Sequence, residues 1–291
     1  MSIDVIFKIV VMIFTVSNLA AMGLEINKDQ AFKALRNPRF IALILVWGWI
    51  VGPAIALGLT RIIPLSEAHA AGLLLISLAP TAPFFPLMVT RARGDMSSAG
   101  AFILVATLGT VLLMPILVPF LIRGLVVSAW GLAKPLLFMV LLPLLLGFSV
   151  NVYKESLAIK IAPVIKKAGT LFLLLTAVMT FWLYWKEMVS AVGSFAIGAQ
   201  LLFFALITFL SYKIPFGLNR TQRSGMALGM CTRNIAAVFV AYFGITDPDP
   251  GVFVMIVLVV PLALLVAVIA ARLFARDSVR SAMRGHAKPA G

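Results

Sequence analysis

The chain has 291 residues, 62% of them hydrophobic and only 12% charged, with a formal net charge of +14. No water-soluble core needs so large an apolar share, which excludes an ordinary soluble globule and points to an all-α polytopic membrane protein. Cys231 is the only cysteine, which excludes an intrachain disulfide and a cysteine-built metal site.

About 20 apolar residues suffice to cross the hydrocarbon core of a bilayer. The opening MSIDVIFKIVVMIFTVSNLAAMGL lacks a basic leader region and a small-residue cleavage site, so residues 5–24 are a first span, not a removed signal peptide. A polar loop, 25–37, leads to a second span over 38–59, with Gly48, Gly52 and Pro53 as kink points. A third segment starts at Glu67 and ends by Arg91, but Pro80, Pro83 and Pro86 forbid a continuous helix there. Spans over 95–122, 132–152, 161–185 and 189–212 follow. The eighth segment, 222–244, is apolar except for Thr232-Arg233-Asn234 near its middle, and a ninth covers 251–273. The remaining basic tail, 274–291, is expected to be disordered and cytoplasmic.

Charge placement supports nine crossings. With the N-terminus outside, the inner side receives the basic clusters of 28–39, 91–93, 154–167, 213–223 and 272–288. The outer side receives Arg61, Arg123, Lys134 and Lys186, while Lys8 and Arg233 stay within spans. This is the positive-inside distribution, and it accounts for the net charge without nucleic acid. The layout also contains an inverted repeat: a broken segment followed by a whole span occurs twice, in opposite orientations. Two broken hydrophobic segments, one in each half, point to the substrate site of a transporter.

Arg233 is the central residue of that site. A charge at mid-bilayer is costly and marks a functional-site hypothesis. No acidic residue is predicted at its depth, since Glu67, Asp95, Glu187, Asp247 and Asp249 all fall near span ends. Two roles stay open and are compatible. Its planar fork can anchor a carboxylate or sulfate, with the half-helix after Asn234 adding a positive dipole end. Alternatively, it satisfies carbonyls freed by the break, as a cation built into the chain. Thr232 and Asn234 flank the break as caps or substrate contacts, and Thr81 is the equivalent residue of the first break. Phe84 and Phe85 line an apolar pocket or serve as packing.

The 225–229 stretch, Gly225-Met-Ala-Leu-Gly229, suits a close helix contact. His69 is expected at the external membrane interface, with Trp47, Tyr153 and the Trp182 and Trp185 pair as interface anchors. His69 and His286 are the only histidines, and no nucleophile–base arrangement can be assembled at one depth. No catalytic residue, metal or cofactor is therefore expected.

The stretch LLLISLAPTAPFFPLMVTRARGDMSSAGAFILVATLGTVLLMPILVP, with its Gly94-Asp95 and the later Pro115 and Pro119, resembles the first crossover region of the bile acid:sodium symporter family. GMCTRNIAA, residues 229–237, is similar to that family's second crossover, and Met22-Gly-Leu24 with Pro38 is similar to its first core loop. The resemblance covers most of the chain and implies a bacterial-type member. It implies a panel domain, 1–24 and 132–185, and a core domain, 38–123 and 189–273, with crossovers at 80–86 and 230–235. Many members have ten spans, so the resemblance implies that the first of them is missing here.

The residues depart from the family at its sodium ligands. Positions that the resemblance assigns to sodium hold Gly48, Phe85, Pro86, Ala99, Ile103, Gly229 and Arg233, and Asn234 alone is retained. Sodium needs hard oxygen ligands, which these side chains do not supply. The sequence thus predicts a carrier of a small organic anion working by alternating access, not coupled to sodium through the usual side chains. It is placed in a bacterial inner membrane, contacting lipid, as a monomer or homodimer. The alternatives are a sodium symporter that uses backbone ligands, or a receptor or scaffold of the same fold that does not transport.

Overall fold

A computed structural model describes residues 3–82, 84–122, 128–247 and 249–286, the side chains of 4, 30 and 279–286 excepted. Pro83, Arg123 and Lys288, which enter the expectations above, lie outside the described residues. Among the described residues the secondary structure is helical, with no named strand. Seven stretches are long and apolar enough to cross a membrane. They are α1 (Ile3–Glu25), α3–α4 (Pro38–Val46 and Gly52–Ile62), α7 (Met96–Leu121), α8–α9 (Ala129–Leu136 and Leu142–Tyr153), α10 (Glu155–Ser190), α11 (Ala196–Lys213) and α14 (Pro250–His286). The chain is a multi-pass membrane protein.

The two broken segments fall where the prolines and the Thr-Arg-Asn triplet put them. The first divides into α5 (Glu67–Ser77) and α6 (Phe85–Arg91), and the second into α12 (Arg220–Cys231) and α13 (Ile235–Phe243). The kink foreseen around Gly48–Pro53 is a π-helical turn, Trp47–Val51, that joins α3 to α4. A second π-turn, Leu137–Leu141, joins α8 to α9. Each turn lies just before a proline, Pro53 or Pro143. The ring removes a donor and crowds the preceding turn, and the wider turn accommodates it.

Several expectations are corrected. The 25–37 stretch is not all loop: Lys28–Leu35 forms α2, which packs on α7. Basic residues beyond 273 continue α14 as far as His286 instead of being disordered. An ordered contact accompanies that extension, because Tyr212 donates its hydroxyl to Asp277 Oδ2 at 2.6 Å. Arg220 also lies 3.8 Å from the same carboxylate oxygen. Trp47 is buried and is no interface anchor, whereas Tyr153, Trp182 and Trp185 are exposed. His69 is buried too, with Nδ1 lacking a hydrogen-bond partner.

Helix α1 lies against α9 and α10, α5 against α14, and α11 against both α12 and α14. The α1–α9 contact depends on a glycine pair: a Cβ on Gly23 would lie 2.2 Å from Leu144 O, and one on Gly147 2.2 Å from Ala20 O. No longer side chain permits that backbone approach. The 225–229 stretch is only half a contact surface. A Cβ on Gly229 would strike the Phe102 ring at 2.3 Å, while one on Gly225 would meet open space.

Candidate functional site at the paired helix breaks

The breaks meet each other and satisfy each other's backbone. Asn234 N donates to Ala79 O at 2.9 Å, and Thr81 N donates to Thr232 O at 2.8 Å and Gly229 O at 3.1 Å. Pro80 and Arg233 thereby form an isolated antiparallel bridge. Unpaired backbone groups are expensive in hydrocarbon, so non-helical chain is tolerated at membrane depth only when protein supplies the partners. Thr81 accepts a left-handed φ of 74° to make this pairing, an unfavourable geometry for a β-branched residue.

The C-terminal end of α5 is the acceptor side. Its last carbonyls each take a donor from elsewhere: Ser77 O from Arg233 Nη1 at 3.3 Å, Leu78 O from Trp49 Nε1 at 3.0 Å, and Ala79 O from Asn234 N. A helix C-terminus carries about half a negative charge, so a guanidinium there is attracted as well as bonded. Asn234 Oδ1 accepts from Ala237 N at 3.1 Å and caps the start of α13. Thr232 instead donates its hydroxyl to Leu228 O at 3.0 Å, at the end of α12. The Thr81 hydroxyl is buried without a partner.

Arg233 is 1% exposed. The Phe203 ring centroid lies 5.0 Å from its guanidinium carbon, within cation–π range. No ion pair to it exists among the described residues, and its Nε and Nη2 have no hydrogen-bond partner. Those two nitrogens share one edge of the guanidinium, the fork that binds carboxylate in two parallel bonds. Leaving a buried donor unmade costs about 1–3 kcal/mol.

Arg233 lines a cavity of about 310 Å³ between α1 and α10 on one side and the breaks and α14 on the other. Its wall is mainly apolar, with Phe14, Phe84, Leu173 and Val259 among the lining residues. Of the six residues singled out in the sequence, Phe84 and Arg233 line this cavity. Thr81, Thr232 and Asn234 lie in the paired backbone behind it. Phe85 is buried against the Phe102 ring, centroids 5.1 Å apart. Asn18, Glu25 and Lys166 also line the cavity and were not expected there. Lys166 donates to both oxygens of Glu25 at 2.8 and 2.9 Å. The sequence puts Glu25 in the loop after the first span and Lys166 within 161–185, and only the packing of α1 on α10 brings them together.

Of the positions that the resemblance assigns to sodium, all but Arg233 and Asn234 hold hydrocarbon or no side chain. Phe85, Ala99 and Ile103 are buried, the Phe102 ring fills the space over Gly229, and a Cβ on Gly48 would lie 3.4 Å from the Pro80 ring. No group of three His, Cys, Asp or Glu able to hold a metal ion occurs among the described residues.

The chain is 24% identical over 216 residues to the probable sodium/metabolite cotransporter BASS2, chloroplastic, of Oryza sativa subsp. japonica, covering 73% of this chain and 52% of that protein. It is 27% identical over 147 residues to the probable sodium/metabolite cotransporter BASS1, chloroplastic, of Arabidopsis thaliana, covering 50% and 37%. The chain thus spans about half or less of the length of these relatives. The model of the sodium bile acid symporter family matches residues 10–191. The chain belongs to the sodium bile acid symporter family.

Proposed function

We propose that the protein is a secondary transporter that moves a small organic anion by alternating access, with Arg233 as the anchor for the anionic group. The observation that carries this reading is the buried guanidinium of Arg233: Nη1 is held by Ser77 O while the Nε–Nη2 edge has no partner in the protein. A carboxylate or sulfonate completes that edge with two charge-assisted bonds. Phe84 and the apolar wall take the body of the anion, while Thr81, Phe85, Thr232 and Asn234 hold the breaks in shape. In this conformation the fork is sealed, and rocking of the core against the panel is the step that uncovers it.

In this scheme the panel is 1–24 and 132–185 and the core is 38–123 and 189–273, with crossovers at 80–86 and 230–235. Nine segments cross a bacterial inner membrane, N-terminus outside, with the basic end from 274 onward in the cytoplasm. Two features support the repeat: each half has a broken segment, and an aspartate, Asp95 or Asp249, accepts a backbone hydrogen bond at the start of the next span.

A second reading is favoured by the Ser77 contact: Arg233 stands at the negative end of α5 as a fixed cation in place of sodium. Both readings predict transport that survives sodium removal. The related cotransporters are named for sodium, and coupling through backbone carbonyls is the competing account. The test is benzoate uptake into proteoliposomes with sodium replaced by choline, for the unaltered protein and for Arg233→Ala. Uptake is expected to persist in choline and to vanish in the variant. Normal uptake by the variant overturns the anchor, and loss of uptake in choline overturns sodium independence.

A further inference from the structure

Glu25 lines three cavities. One is the crossover cavity, and the second is a space of about 160 Å³ that shares Glu25 and Pro86 with it. The third, about 400 Å³, shares Glu25, Ile26 and Asn27 with the second and is bordered by Lys28, Asp29 and Glu155. The three adjoin at Glu25, between the crossover break and the end of the molecule where α1 meets α2. An anion held in the crossover cavity near this end meets the Glu25 carboxylate, which repels it.

Lys166 is the counterweight. It lines the crossover cavity from α10 and is chelated by both oxygens of Glu25. The side chains are 59% and 45% exposed, so water screens the pair and its partners exchange readily. No other lysine lines the crossover cavity among the described residues.

We infer that Lys166 is a second anion-binding subsite at the mouth of the crossover cavity, occupied by the Glu25 carboxylate until a substrate carboxylate displaces it. The inference rests on the organic-anion reading of the Arg233 site. Glu25 is then a positioning residue: it holds the ammonium at the mouth and competes with the anion for it. Competition makes release possible, since an uncontested lysine would retain the anion.

The two partners therefore have opposite effects. A staple between α1 and α10 would be lost equally by neutralising either side chain. A contested subsite responds with opposite signs.

The experiment measures benzoate binding by isothermal titration to the full chain in nanodiscs, with melting temperature recorded in parallel. Lys166→Gln is expected to weaken benzoate about tenfold, and Glu25→Gln to tighten it several-fold while slowing efflux from loaded proteoliposomes. The exchanged pair Glu25→Lys with Lys166→Glu retains a lysine at the mouth and is expected to bind within threefold of the unaltered protein. Equal losses of melting temperature in the two single variants, with unchanged benzoate affinity, overturn the subsite and leave a structural ion pair. If Arg233→Ala also leaves affinity unchanged, the organic-anion reading fails with it. If Arg233→Ala abolishes binding while both single variants are silent, the subsite alone fails. Absence of benzoate binding to the unaltered protein overturns both.

Discussion

The two helix breaks are made by opposite chemistry. The first is broken by proline and offers acceptors: the carbonyls of Ser77, Leu78 and Ala79 point out of a helix end, and its one polar side chain, Thr81, bonds to nothing. The second contains no proline and supplies the Arg233 guanidinium and the Asn234 backbone N–H as donors, accepting in return from Thr81 N. Neither break can satisfy its own backbone, and each supplies what the other lacks. The difference teaches why a charge is tolerated here. Arg233 is partly a structural donor to α5, and its Nε–Nη2 edge is left unmatched.

The largest effect expected is from Arg233→Ala, which removes both uses of the side chain. Benzoate uptake should fall at least a hundredfold while the protein still reaches the membrane, as checked by proteoliposome assay and immunoblot. Arg233→Lys sharpens the comparison, because a lysine supplies the charge without the fork. It should restore less than a tenth of the uptake, and full recovery would show that charge alone matters.

Next in size is Gly229→Val. Its side chain would enter the space held by the Phe102 ring, and overpacking of this kind costs about 1–3 kcal/mol. A drop of several degrees in melting temperature is expected, whereas Gly225→Ala, which meets open space, should leave it unchanged. Asn234→Ala tests the cap of α13, since it removes the accepting Oδ1 but keeps the backbone donor, and a lost N-cap costs about 1 kcal/mol. A melting temperature unaltered by this change would mean that α13 does not depend on its cap.

The smallest effect concerns Asp95, which caps α7 after the first break. Burial pushes its carboxyl up, but bonds from the Ser97 and Ser98 hydroxyls and backbone outweigh this and hold it below the usual carboxylate value. A depressed value stabilises the folded state above the unfolded carboxylate pKa, about 3.9, and that contribution is lost as pH falls through the folded value. Asp95→Asn should therefore narrow the gap between melting temperatures at pH 7 and about pH 2. An unchanged gap would assign the acid sensitivity to other groups.

The breaks and most spans were legible in the sequence because prolines and a lone arginine in apolar surroundings have few physical readings. The ends were harder. Helix α2 carries charges that resemble a loop in composition, and the extension of α14 is ordered by partners, Tyr212 and Arg220, that are distant along the chain. Sequence also assigned the close helix contact to Gly225 and Gly229, whereas the tightest glycine pair is Gly23 with Gly147, which no local spacing reveals. Within the site, Arg233 and Phe84 were identifiable from the segments they interrupt. Lys166 and Glu25 were not, because they become neighbours only when α10 lies against α1.

The central claim is that the free edge of Arg233 receives the anion. It is tested most directly by magic-angle-spinning NMR on protein labelled with ¹⁵N in its arginines and loaded with ¹³C-carboxylate benzoate in lipid bilayers. A dipolar contact between the carboxylate carbon and a guanidinium nitrogen, absent in Arg233→Lys, is the result predicted. Bound benzoate that shows no such contact would contradict the account.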